Sequence, residues 1–126
     1  MEKRIIIAGC RTFTGYEEAK SLIYRDLESM KLTQPMIVLS GGCRGADRLG
    51  ERFAKEKGWK IEYYLPEWTK YGRAAGPVRN KKMIEQCDVV ICFWDGKSKG
   101  TGSLIRHAQK SNKQLFIHRI DDGNRR

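Results

Sequence analysis

Short continuous apolar runs alternate with helical patterns along this chain, and one junction between them is more constrained than the rest. Met36-Ile37-Val38-Leu39 runs straight into Ser40-Gly41-Gly42-Cys43-Arg44-Gly45-Ala46-Asp47, after which apolar residues return at helical spacing. Glycines at a strand-to-helix turn let the backbone pass close to a ligand, and the free N–H groups of the first helical turn face an anion. The same residues also suit a tight turn that holds nothing.

The other elements follow the same grammar. Arg4 to Gly9 is unbroken in its apolar residues, which predicts a strand buried on both faces. Ala19, Leu22, Ile23, Leu27 and Met30 predict a helix from Tyr16 to about Leu32. Ala46, Leu49, Phe53 and Ala54 mark a second helix that Gly58 stops. Lys60 to Leu65 alternates enough for an edge strand. Pro66 to Gly76 is a long connection, and Pro77 suits the first turn of a third helix. Val89 to Trp94 is the most apolar strand, followed by a second glycine-rich turn, Asp95 to Gly102. Leu104, Ile105 and Ala108 mark a fourth helix, and Gln114 to Arg119 a fifth strand.

This alternation predicts an α/β domain with a five-stranded parallel sheet and helices on both faces. The expected strand order is 3-2-1-4-5, with residues 1–120 forming the domain and 121–126 a short polar tail. Ligands of such sheets bind beyond the C-terminal strand edge, at the switch point between strands one and four. That geometry gathers Gly9-Cys10-Arg11, Ser40 to Asp47, and Asp95 to Thr101.

Composition narrows the class. The 126 residues carry a net charge of +10, with 25 basic against 15 acidic side chains, which favours anionic partners. Cys10, Cys43, Cys87 and Cys92 form no CxxC pair and no zinc-finger spacing, so no metal is expected. Ile7-Ala8-Gly9-Cys10 after Lys3-Arg4 imitates a lipoprotein cleavage box, but its apolar stretch is far short of the roughly 7–15 residues of a signal peptide. A cytoplasmic protein without membrane contact is expected.

Familiar catalytic motifs are missing. Gly96-Lys97-Ser98 lacks the leading glycine of a P-loop, where Ile91 stands, and no GxGxxG follows the first strand. No GxSxG elbow surrounds Ser40. Arg11 and Arg79 suit bidentate phosphate binding or are plain surface residues. Asn80 caps a helix or reads a base or ribose edge. Trp68, Tyr71 and Trp94 offer stacking faces or ordinary packing. Asp47 caps its turn, orients Arg11, or acts as an acid or base.

Gly9-Cys10-Arg11-Thr12-Phe13, the Ser40–Asp47 loop, Trp68 to Asn80, and Ser98-Lys99-Gly100-Thr101 together resemble the YspA-like branch of the SLOG superfamily, in the right order over nearly the whole chain. The resemblance implies a Rossmann-like fold that binds nucleotides or nucleotide-derived ligands, and often a homo-oligomer. Relatives include LOG phosphoribohydrolases, which cut the N-glycosidic bond of nucleoside monophosphates, and DprA, which binds single-stranded DNA. Three departures stand out: Cys10 and Cys43 replace the usual serine and alanine, and Leu104 stands where the LOG loop PGGxGTxxE has its catalytic glutamate.

Three functions are therefore carried forward. In the first, a nucleotide-type ligand is bound by Gly9, Arg11, Ser40, Gly41, Gly42, Gly45, Ala46, Asp47, Trp68, Tyr71, Arg79, Asn80, Ser98, Gly100 and Thr101, with no cofactor. Gly41, Gly42, Gly45, Gly100 and Thr101 would hold its phosphate through backbone N–H groups and a hydroxyl, Arg11 and Arg79 would neutralise its charge, and Asn80 and Asp47 would contact ribose or base. In the second, a nucleotide N-glycosidase uses Asp47, Glu67 or Asp95 in place of the missing glutamate. In the third, the positive charge binds nucleic acid.

Overall fold

The computed structural model describes residues 2–120; the tail expected over 121–126 lies outside the described residues. The strands are β1 (Lys3–Gly9), β2 (Met36–Ser40), β3 (Lys60–Tyr63), β4 (Val89–Trp94) and β5 (Gln114–Arg119). The helices are α1 (Tyr16–Ser29), α2 (Ala46–Lys57), the short α3 (Trp68–Tyr71), α4 (Ala75–Gln86) and α5 (Lys99–Lys110). All strand pairs are parallel and the order is β3-β2-β1-β4-β5.

Two apolar layers explain why β1 and β4 read as unbroken apolar runs. Ile5 and Ile7 face α1 and α2, packing with Ala19, Ile23, Leu49 and Phe53. Ile6 and Ala8 face the other way, onto Met83, Ile84, Leu104 and Ala108 of α4 and α5. Alternate side chains of a strand point to opposite faces, so a strand covered on both sides shows no polar alternation. β3 lies at a sheet edge, as its alternation predicted.

Four boundaries differ from expectation. α1 ends at Ser29 because Lys31 takes a left-handed conformation, φ 57°, and the Leu32 amide bonds back to the Leu27 carbonyl. Leu32 still packs on the core, so its apolar character continued the helical pattern past the helix. β3 stops at Tyr63, since the Tyr64 amide already reaches the Ser40 carbonyl where β2 ends. The long connection folds into α3 and one 3-10 turn, Gly72–Ala74. The second glycine turn is short: Lys99, Gly100, Thr101 and Gly102 are the start of α5. Among the described residues no helix is long and apolar enough to cross a membrane.

Candidate functional site

The chain leaves β1, β2 and β4 at the same sheet edge, and α4 and α5 rise beside it. Between them lies a cavity of about 500 Å³. It is lined by Gly9, Arg11, Gly41, Asp47, Arg79, Asn80, Asp95, Ser98, Gly100 and Thr101 among the residues singled out from sequence. The other singled-out residues stand elsewhere. Ser40 and Ala46 are fully buried. Gly42 and Gly45 shape the loop behind the cavity wall. Trp68 is 57% exposed on α3, while Glu67 and Tyr71 line a separate recess.

The glycine loop is folded around internal partners. The Gly42 amide donates to Ser40 Oγ at 3.0 Å, and Ser40 Oγ donates to Glu51 Oε2 at 2.7 Å. The amides of Gly41 and Cys43 face the Asp47 carboxylate, Cys43 donating to Oδ2 at 3.2 Å. The Ala46 amide reaches the Cys10 carbonyl at 3.2 Å. Gly45 has φ +74°, and a Cβ there would stand 2.3 Å from that same carbonyl oxygen. Only glycine lets α2 begin so close to the end of β1. The Gly41 and Gly42 amides, expected from sequence to face a phosphate, thus face acceptors inside the protein.

Arg79 and Asn80 tie three elements together. Arg79 Nη1 donates to the carbonyls of Gly41 at 2.9 Å and Tyr64 at 3.3 Å, and its Nε donates to Asn80 Oδ1. Asn80 Nδ2 then donates to the Gly100 carbonyl at 3.2 Å. The pair thus clamps the ends of β2 and β3 to the start of α5.

The two carboxylates of the cavity differ sharply. Asp95 is the turn's own anchor: its Oδ1 accepts from the Lys97 and Ser98 amides at 2.8 Å. Those bonds hold its carboxyl down to about 2. The Cys10 thiol supports the same turn, its Sγ accepting from the Asp95 amide and Ser98 Oγ, and burial pushes this thiol up. Asp47 is 6% exposed, and burial pushes its carboxyl up to about 6 against the pull of Cys43 and Arg79.

The α5 end is the open one. α5 begins without a side-chain cap, so the Lys99, Gly100 and Thr101 amides have no helical acceptor. Thr101 is 7% exposed, and its hydroxyl has no hydrogen-bond partner among the described residues. Arg11 and Lys99 are exposed at the rim and form no ion pair among the described residues. Phe13 holds the Arg11 loop by stacking on Phe93, with ring centroids 5.1 Å apart.

Thr12, Cys43, Met83, Lys99 and Leu104 also line the cavity; Cys43 and Lys99 lie within the stretches expected to converge there, but none of the five was expected as a ligand contact. Lys99 was readable, since a residue opening a helix after a glycine turn faces the strand edge. Met83 and Leu104 carried only a core signal, because they are floor and core at once. Among the described residues no cluster of three or more His, Cys, Asp or Glu could hold a metal ion.

Fold and cleft together define a doubly wound α/β protein with its cavity at the carboxyl edge of the sheet, at the switch between β1 and β4. Residues 3–71 match the YspA, cpYpsA-related SLOG family, and the chain belongs to that family. It is 30% identical over 115 residues to the Gene 61 protein of Mycobacterium phage D29, covering 86% of this chain and 90% of that one. Its fold is similar to that of DNA processing protein A (DprA) from Streptococcus pneumoniae, with a TM-score of 0.68 and 16% identity. That likeness covers 93% of this chain and 50% of the DprA chain, so the protein spans about half the length of that structure.

Proposed function

We propose that the cleft binds a nucleotide or nucleotide-derived small molecule, with its phosphate at the start of α5. The observation that carries this reading is the uncapped first turn of α5 opening into the cavity beside the unpartnered Thr101 hydroxyl. A helix N-terminus presents N–H donors and positive potential to an anion. Arg11 and Lys99 add exposed positive charge at the rim. Arg79, committed to backbone carbonyls, shapes the wall and contributes field. Met83 and Leu104 give the ligand an apolar floor.

A thermal-shift panel of mono-, di- and cyclic nucleotides tests this. A true ligand at ~100 times its dissociation constant adds about 2.7 kcal/mol to stability. A flat response across the panel removes the reading.

Asp47 supports a second reading, a nucleotide N-glycosidase. Cleavage of an N-glycosidic bond passes through cationic character at the sugar, which a neighbouring carboxylate stabilises. Of the three substitute carboxylates, Glu67 stands outside the cavity and Asp95 is bound to its own turn. Asp47 alone combines burial, a raised pKa and a place on the wall. Chromatography after prolonged incubation with nucleoside monophosphates decides it: free base, lost in Asp47→Asn, supports hydrolysis, and intact nucleotide ends it.

A further inference from the structure

The cleft is chemically lopsided. On the α5 side everything offered is a donor or a cation: the first-turn amides, the Thr101 hydroxyl, Lys99, and Arg11 across the rim. The acidic residue on that side, Asp95, turns its oxygens into the Lys97 and Ser98 amides and Ser98 Oγ.

The α2 side is the reverse. Asp47 is buried and lines the cavity; its Oδ2 accepts from the Cys43 amide at 3.2 Å, and the Gly41 amide also faces the carboxylate. A carboxylate has about four lone-pair sites, so acceptor capacity remains toward the cavity. The nearest cation does not fill it. Arg79 forms no ion pair with Asp47, because Nη1 serves the Gly41 and Tyr64 carbonyls and Nε serves Asn80. A phosphate at this end meets like charge in a partly desolvated site, where the Gly41 and Cys43 amides already face Asp47. A hydroxyl or amino group finds an acceptor waiting.

The two ends are also separated. α2 follows β2 and α5 follows β4, with β1 between them. At a strand spacing of 4.7–4.9 Å this places the two loops about 10 Å apart, the span of a nucleoside and not of a lone phosphate.

Building on the nucleotide reading above, we infer that the cleft selects a nucleotide phosphorylated at one end only. Its phosphate sits on α5, its opposite end donates a hydroxyl or amino group to Asp47, and the same nucleotide phosphorylated at both ends is rejected. Asp47 is then the residue that sets specificity, and Thr101 the one that sets affinity for the anionic end.

Calorimetric titration at pH 8, where Asp47 is ionised, tests this with the four common nucleoside 5′-monophosphates and their 3′,5′-bisphosphates. The expected result is at least one monophosphate that binds tenfold or more tightly than its bisphosphate. Asp47→Asn shrinks that gap to threefold or less, and Thr101→Val weakens the monophosphate about fivefold. A bisphosphate that binds the natural protein as tightly as its monophosphate overturns the inference while leaving the nucleotide reading intact. So does a gap that Asp47→Asn leaves unchanged, with folding of the variant verified by its melting curve. Absence of binding by every nucleotide overturns the reading and the inference with it. The mono- against bisphosphate comparison needs no variant, so it stands even if Asp47→Asn does not fold.

Discussion

Gly41 and Arg79 occupy one another's space. Arg79 Nη1 donates to the Gly41 carbonyl at 2.9 Å, and a Cβ at position 41 would lie 2.5 Å from that same nitrogen. The glycine therefore admits a guanidinium, where the expectation from sequence was a phosphate. Gly41→Ala displaces Arg79 and frees the Gly41 and Tyr64 carbonyls together. A loss of about 1–3 kcal/mol is expected, read by urea unfolding. Arg79→Lys loses a similar amount, because a single ammonium cannot serve two carbonyls and Asn80 through a planar fork.

Asp47 makes stability depend on pH in an unusual direction for a carboxylate. Its folded value, about 6, lies above the ordinary 3.8, so the folded state holds the proton more tightly. Its contribution to stability is fully present below about pH 4 and is lost as pH rises through 6. Asp47→Asn removes this penalty while leaving an oxygen for the Cys43 amide. The variant is expected to be more stable than the natural protein by about 1–3 kcal/mol at pH 8, with the difference vanishing near pH 4. Melting curves across that range check the prediction, and a variant equally destabilised at both ends contradicts it.

Arg11 and Lys99 answer differently. Neither makes an ion pair among the described residues, and both are exposed. Arg11→Ala and Lys99→Ala should leave the melting temperature within about 1 °C, since free surface charges contribute little to stability. Each should weaken anion binding by about three- to tenfold, with an effect that fades at high salt. A variant that melts early instead would show a structural role.

Cys43 reports occupancy. Cys10 and Cys43 both line the cavity, but Cys10, like Cys87 and Cys92, is buried, while Cys43 is partly exposed. Thiol alkylation of the native protein should modify Cys43 first and stop there until unfolding, as mass spectrometry of the digested protein would show. A bound nucleotide should slow the modification. Equal labelling of Cys10 would mean that the Asp95 turn opens far more readily than its hydrogen bonds suggest.

The architecture was legible because its signals are local and redundant. Ile5 to Ala8 and Val89 to Phe93 could only be strands covered on both faces, and Gly58 and Pro77 marked where helices stop and start. The site was legible as a place, since topology alone brings Gly9, Gly41 and Gly100 to one edge. What stayed hidden was the direction of each donor. Nothing in Ser40-Gly41-Gly42 tells that Ser40 Oγ takes the Gly42 amide while giving its own proton to Glu51. Glu51 is 3% exposed and also receives a bond from Tyr63, twelve residues on, in β3. Such bonds depend on contacts between residues distant in the chain, which periodicity does not encode. Trp68 and Tyr71 were placed near the ligand because aromatic residues in a long connection suit stacking. On the short α3, Trp68 is exposed and Tyr71 lines a second recess that shares Arg79 with the cleft.

The cavity walls are not equally distributed along the chain. Residues 3–71, the span matched to the family, hold Arg11, Gly41 and Asp47, whereas Asn80, Lys99 and Thr101 come afterwards. On the reading above, the grip on the anionic end and the choice of the opposite end are thus written in separate halves of the polypeptide. A descendant could redraft its second half, keep Asp47, and grip the same kind of guest with a different strength.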